Sequence, residues 1–300
     1  MKTNSAALTS KPACRRPHDV CQREVRELVE EDRAQVLELL SQDPMRTVLL
    51  RGMIEDHQIG DPAHRGRFFG YYEDDRLAGI ALLGHHILIF AEDVALPFFA
   101  KTAFEIQAKG HLILGPQAQV EAFWQHLSEF GRETKMSTQQ LWYECRQPKS
   151  SFQQMQLQRA NFAELDVVAE AHAEMAYETT GTDPRVSDAA GFRHRVAERI
   201  ERKRTWVKIE DGKVVFKAEL ARVTEETVYL EGVWTHPDYR GRGIAKSCMT
   251  ELVHRLLRQH QAVCLLVEAE EQAAIKVYEH VGFVYSEDYQ ARFLKPLASA

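Results

Sequence analysis

Apolar and polar positions follow two alternating periods along this chain. Short apolar or alternating runs predict strands over 24–31, 67–72, 77–83, 87–90, 111–114 and 141–145. Helical spacing predicts helices over 33–40, from beyond Pro44 through Leu49, Leu50 and Ile54, over 94–109, and over 117–130 through Val120, Phe123, Trp124 and Leu127. Val25 and Val29 read as the inward residues of the first strand, Asp32 as a helix cap, and Gly115-Pro116 as a turn. The order then recurs. A strand over 155–159 precedes helices over 162–177 and 188–203, with a loop over 178–184 between them. Strands over 206–210 and 214–221 turn on Asp211-Gly212. A central strand from Val228, a helix from Ile244, a strand over 263–268, a helix over 273–282 and a last strand from Phe283 to Leu294 complete the second half. Both halves read β-α-α-β-β-β-α-β-α-β. The expectation is an α/β (α+β, mixed-sheet) protein of two tandem units, 23–147 and 152–300. Gln147-Pro148-Lys149-Ser150-Ser151 is the boundary, and 1–22 is a polar, disordered tail.

Composition removes several function classes. With 300 residues, 44% hydrophobic and 27% charged, the chain is ordinary globular material, enough for two modest domains. No apolar run is long enough to span a bilayer. A net charge of −6 argues against a general nucleic-acid binder. The arginine-rich run 193–204 reads as a charged helix face, with Arg195, Arg199 and Arg202 partnered by Glu198 and Glu201. The five cysteines (Cys14, Cys21, Cys145, Cys248, Cys264) are odd in number and lack ligand spacing, which predicts free thiols in a reducing cytosol and a cytoplasmic protein. No zinc pattern is present.

The chemistry concentrates in Val228 to Ser247, VYLEGVWTHPDYRGRGIAKS. An apolar strand carrying Glu231-Gly232 predicts a bulge. It stops at His236-Pro237-Asp238 and runs into Arg240-Gly241-Arg242-Gly243-Ile244-Ala245. A glycine turn that opens a helix aims free N–H groups and the positive end of the dipole at one spot, which suits a phosphate. Arg240, Arg242 and Lys246 add charge there. Further on stands Ala274-Ile275-x-x-Tyr278-x-x-x-Gly282-Phe283. Arg240, Gly243 and Ala245 match an R/Q-x-x-G-x-G/A signature. Together with the tyrosine motif, in this order and spacing, the second half resembles the GNAT superfamily of acetyl-CoA-dependent N-acetyltransferases. The whole resembles tandem GNAT proteins whose first copy is degenerate. The phrase 209–219 and Gly232-Val233-Trp234 strengthen that likeness.

The resemblance implies transfer of the acetyl group of acetyl-CoA (coenzyme A) to a primary amine by direct attack. It implies coenzyme contacts along Val233, Trp234 and Thr235, where a backbone N–H polarises the acetyl carbonyl. Further contacts come from Arg240, Gly241, Arg242, Gly243, Ile244, Ala245, Lys246 and Ser247 around the pyrophosphate. The strand is expected to splay from its parallel neighbour and to pair with the pantetheine arm. Tyr278 is the implied partner of the leaving thiolate. Glu271 stands where the family often has asparagine. Glu231 is the first candidate for general base, semi-buried and on one face with Val233 unless a bulge intervenes. Glu219 is the second candidate for that role, and Glu178 and Asp183 are candidates for the acceptor side. At the matching turn the first half has Ile89-Phe90-Ala91-Glu92-Asp93-Val94, with two carboxylates and no glycine, so one coenzyme per chain is expected. Two other readings stay open: an acyl-CoA sensor without turnover, and a transferase of a longer acyl group. The acceptor, whether protein lysine, N-terminal amine, polyamine, amino acid or aminoglycoside, is not named by the sequence.

Overall fold

The computed structural model describes residues 22–149 and 154–297. In the first half the elements are β1 (Arg23–Glu27), α1 (Arg33–Leu40), α2 (Val48–Asp56), β2 (Gly66–Glu73), β3 (Arg76–Gly84), β4 (His86–Phe90), α3 (Leu96–Glu105), β5 (Leu112–Pro116), α4 (Gln117–Ser128) and β6 (Thr134–Cys145). The second half holds β7 (Gln158–Arg159), α5 (Leu165–Thr180), α6 (Pro184–Ser187), α7 (Ala189–Glu201), β8 (Thr205–Glu210), β9 (Lys213–Val223), β10 (Thr227–Thr235), α8 (Ile244–Leu256), β11 (Ala262–Glu268), α9 (Gln272–Val281) and β12 (Val284–Leu294). The two halves repeat one order of elements, as the pattern predicts, apart from the extra turn of α6.

Among the described residues these strands make one twelve-stranded sheet, in the order β1-β2-β3-β4-β5-β12-β6-β11-β10-β9-β8-β7. Pairing is antiparallel except for β4 with β5 and β10 with β11. The last strand of each half crosses over: β12 lies against β5, β6 lies against β11, and the two pair with each other from Val284↔Glu144 to Leu294↔Thr134. Helices cover both faces, because each strand alternates its side chains between them. In the second half, Phe216, Leu230 and Leu265 pack with Leu252 of α8 and Tyr278 of α9. On the other face Val207 and Trp234 pack with Val168 and Ala173 of α5 and Phe192 and Val196 of α7. The first half repeats the scheme, with α3 and α4 on one face and α1 and α2 on the other.

The halves are also joined by polar contacts. Arg204 donates to Asp56 at 2.6 Å, and Arg51 to Glu226 at 2.7 Å. Trp142 of β6 stacks between Tyr229 of β10 and Tyr289 of β12. At the expected boundary, Lys149 N donates to Val281 O at the end of α9.

Several local expectations change. The first strand stops at Glu27, and Val29 is an exposed cap of a short 3-10 turn rather than an inward residue. The third helix spans 96–105 rather than 94–109, and Gly115-Pro116 ends β5 rather than forming a turn. Strand 141–145 begins seven residues earlier, at Thr134. Its polar first half is held by β12, a partner from the far end of the chain that local pattern does not contain. Glu178 to Thr180 belong to α5, which ends at Gly181, so the expected loop is shorter. The tail, except Gln22, together with Cys14, Cys21 and Ser150-Ser151 of the boundary, lies outside the described residues. Cys145, Cys248 and Cys264 are buried free thiols.

Candidate active site

The site begins where β10 parts from its neighbour. Parallel pairing runs from Thr227↔Ala262 to Leu230↔Leu265 and stops, while β11 continues along β6 to Glu268. Glu231 to Thr235 therefore present a free backbone edge. On their other side, β10 pairs with β9 through a bulge: Glu231 lies opposite Glu219, and Trp234, three residues on, lies opposite Lys217. Gly232 supplies it at φ +59°, a conformation that glycine adopts without steric cost. This is the bulge that Glu231-Gly232 predicts, and it decides on which face Glu231 lies. Glu231 faces α7, where Arg199 meets it at 2.9 Å, whereas Val233 packs on the α8–α9 side. The two project to opposite faces, not to one.

Past Thr235 the chain makes a 3-10 turn over Pro237–Tyr239 and enters α8 through Gly241 and Gly243, at φ +75° and +79°. A Cβ at either glycine would meet nothing within 4 Å, so backbone conformation and not crowding selects glycine there. No side chain caps α8. The first amide of the turn to find an acceptor within the protein is Ser247 N, on Gly243 O. Among the described residues the N–H groups of Gly241 through Lys246 have no acceptor, at the positive end of a thirteen-residue helix. Arg242 lies over the Tyr239 ring, and Lys246 is exposed. Arg240 donates to Thr235 O at 2.9 Å and to Glu178 at 2.7 Å. This turn fits a coenzyme diphosphate. Ile244 and Ala245 anchor the helix start on the apolar face.

Tyr278 of α9 sits on the same side as Val233, buried and edge-on to Phe283. Its hydroxyl has no hydrogen-bond partner among the described residues. Burial, and secondly the charge of Glu271, push its pKa above the ordinary 10, so it remains a protonated donor at neutral pH. Glu271 is the exposed residue at the start of α9.

The opposite face holds a buried ion cluster. Glu219, 1% exposed, takes His172 Nδ1 at 2.9 Å, Lys217 Nζ at 3.2 Å and the Arg199 guanidinium. Lys217, fully buried, also donates to Gly232 O at 3.0 Å, inside the bulge. Burial works against the Glu219 charge, but Lys217, His172 and Arg199 outweigh it and hold the carboxyl well below the usual range. These contacts correct three assignments. Glu219 is a saturated structural ion and cannot meet an acceptor. Glu231 is half-buried, as expected, but it is ion-paired with Arg199 rather than set among apolar groups. Asp183 accepts from Arg185 N and pairs with the Arg185 side chain, capping α6. Glu178 does reach the site, through Trp234 Nε1 at 3.1 Å and Arg240. The sequence assigns no role to His172 or Lys217, and Arg199, expected on a charged helix face with Glu198 and Glu201, pairs instead with Glu219 and Glu231. A lysine inside the apolar run Val214 to Ala221 was a readable sign of a buried ion, because lysine is almost never buried unpaired. Of the expected arginine face, Arg202–Glu198 and Arg195–Asp188 are surface pairs.

The first half has the same opening, since β4 and β5 pair only at His86↔Leu112 and Ile87↔Ile113. There side chains narrow it to a cavity of about 10 Å³. Ile89 packs with Val120 and Phe123, and Gln119 Nε2 donates to Ala91 O at 2.9 Å. Glu92 and a 3-10 turn over Asp93–Ala95 stand where the second half has its glycines.

Residues 167–283 match the family model described as Acetyltransferase (GNAT) family. This part of the chain is a GNAT acetyltransferase domain. Solved structures agree on the fold over a longer span. A GNAT-family acetyltransferase from Colwellia psychrerythraea is 18% identical, with a TM-score of 0.55 over 90% of this chain and 99% of that one. A tandem GNAT protein from the clavulanic acid biosynthesis pathway is 13% identical, with a TM-score of 0.59 over 93% of this chain and 100% of that one. The uncharacterized N-acetyltransferase ycf52 of Gracilaria tenuistipitata var. liui is 26% identical over 82 residues, 26% of this chain and 44% of that protein. The match thus spans less than half the length of that curated relative. Among the described residues, no cluster of three His, Cys, Asp or Glu is placed to hold a metal ion, and no helix is long and apolar enough to cross a membrane.

Proposed function

We propose that this chain is an acetyl-CoA-dependent N-acetyltransferase with a single coenzyme site in its second half. The observation that carries the reading is the free edge of β10, Glu231 to Thr235, running directly into a glycine turn whose amides have no acceptor among the described residues. Gly241 to Ser247 would hold the diphosphate, and the β10 edge would hold the pantetheine amides as an added strand. Acetyl-CoA would supply an activated acyl group as a thioester. The backbone N–H near Val233 or Trp234 would polarise its carbonyl. Tyr278, neutral and without a competing partner, would donate to the sulfur that leaves. Donor-side Tyr278 and the polar cluster around Glu231 lie on opposite faces of the opening, which suits an acceptor arriving opposite the coenzyme. Glu231 and Glu178 flank that side, each paired with an arginine, Arg199 and Arg240 respectively. The first half, divided from the second at 147–152 in sequence, would serve as a scaffold that binds no coenzyme.

The test pairs binding with turnover. Gly243→Asp places a carboxylate where the diphosphate would sit; it meets no neighbour but strains the backbone at φ +79°, so circular dichroism checks that the variant is folded. It should abolish acetyl-CoA binding by calorimetry; an unchanged affinity in a folded variant refutes the site. Thiol release from acetyl-CoA against a panel of amines should find an acceptor. Binding with no release for any amine would favour a sensor, and faster release from longer acyl thioesters would favour the longer-chain transferase.

A further inference from the structure

We infer that His172, oriented by Glu219, is the group that takes the proton from the acceptor ammonium. This rests on the acetyltransferase reading above. Glu219 is ionised and accepts only, so His172 Nδ1 must carry the hydrogen of their 2.9 Å bond. That fixes the tautomer and leaves the lone pair on Nε2, which has no partner among the described residues. The imidazole keeps part of its surface exposed, at 16%.

Its position follows from α5, which runs along the open segment of β10. Glu178 meets Trp234 at one end of that segment. His172, six residues earlier, meets Glu219 opposite Glu231. A Cβ on Gly232 would lie 3.6 Å from Glu219 Cγ, so the dyad sits at the bulge itself. Glu231, nearer the edge, is already engaged by Arg199. The imidazole therefore keeps, among the described residues, an unpartnered lone pair on the α5–α7 side of the sheet, the side opposite Tyr278.

The step is a proton transfer alone. The ammonium N–H bond breaks, its electron pair stays on nitrogen for attack, and Nε2 gains the proton to become an imidazolium, which later releases it to solvent. The surroundings keep His172 neutral for this task. Burial first, then Lys217 and Arg199, lower its pKa from 6.5, against the carboxylate of Glu219. Glu231 on β10 completes the charged groups around it.

Asparagine is the discriminating substitution, because its amide N–H takes the place of Nδ1–H on Glu219 while the base is lost. His172→Asn should bind acetyl-CoA as the wild type does by calorimetry. It should lose about 10²–10⁴-fold in kcat/KM for the amine. The acid limb of the wild-type profile, lying below the usual histidine range, should disappear. Ring-nitrogen NMR of the free wild-type protein should find Nδ1–H with a bare Nε2 at pH 7; the opposite tautomer overturns the inference without any assay of turnover. Full activity with an unchanged pH profile in His172→Asn also overturns it and leaves the acetyltransferase reading standing. No thiol release by the wild type overturns both.

Discussion

Replacing Lys217 by methionine tests whether the ion cluster holds the bulge. The side chain is completely buried and makes two contacts, to Glu219 at 3.2 Å and to Gly232 O at 3.0 Å. Methionine keeps most of the volume and removes the charge. Breaking a buried pair by deleting one partner costs about 3–5 kcal/mol. Arg199 and His172 stay on Glu219, which puts the expectation near the lower end, about 3 kcal/mol. That is a large share of a total of roughly 5–15 kcal/mol. Urea unfolding at pH 7 should show the midpoint falling with an unchanged slope. The pH dependence should change too. Glu219 titrates in the folded protein well below 4.5, so its contribution is complete at neutral pH and is lost as pH falls below 4.5 toward the folded value. Without Lys217 the folded value rises, the window narrows, and stability should fall less steeply on acidification below pH 4.5. A variant with the wild-type midpoint and the wild-type acid slope would refute the claim that Lys217 holds this cluster.

Calorimetric titration should give one acetyl-CoA per chain, because Gln119, Val120 and Phe123 close the first-half opening down to a cavity of about 10 Å³; two equivalent sites would contradict that. Tyr278→Phe should lower turnover by about 10²-fold or more with little change in coenzyme affinity, since only a hydroxyl is removed. Any alkaline limb in the wild type should lie above pH 10 if it belongs to Tyr278, whose pKa burial raises.

What local sequence could disclose was backbone behaviour. Gly232, Gly241 and Gly243 announced a bulge and a tight turn into a helix because few other residues adopt those conformations, and the tyrosine helix followed from its apolar spacing. The roles of carboxylates were less legible. Glu219, Glu231 and Asp183 look alike in a sequence, but their environments come from partners 2 to 47 residues away. His172 gave no signal in an alanine-rich helix, since its meaning depends on β9 lying beneath it. The polar run Thr134 to Gln140 was unreadable as strand for a similar reason: it is ordered by residues some 150 positions later.

That last pairing has a consequence for how the protein is made. When β6 emerges from the ribosome, both strands it will lie between, β11 and β12, are still unsynthesised. The first half must wait with the flank of β5 bare, the kind of edge that recruits stray strands. Completion comes only when residues 284–294 arrive and slot between β5 and β6. The final strand thus acts as a late closure for both halves at once. Because one polypeptide carries both halves, that closure is intramolecular and needs no encounter between chains. Cutting the chain near residue 150 would yield two fragments that each lack a neighbour and can regain it only by reassociating. A nascent chain stalled before β12 should be the species most exposed to aggregation and proteolysis.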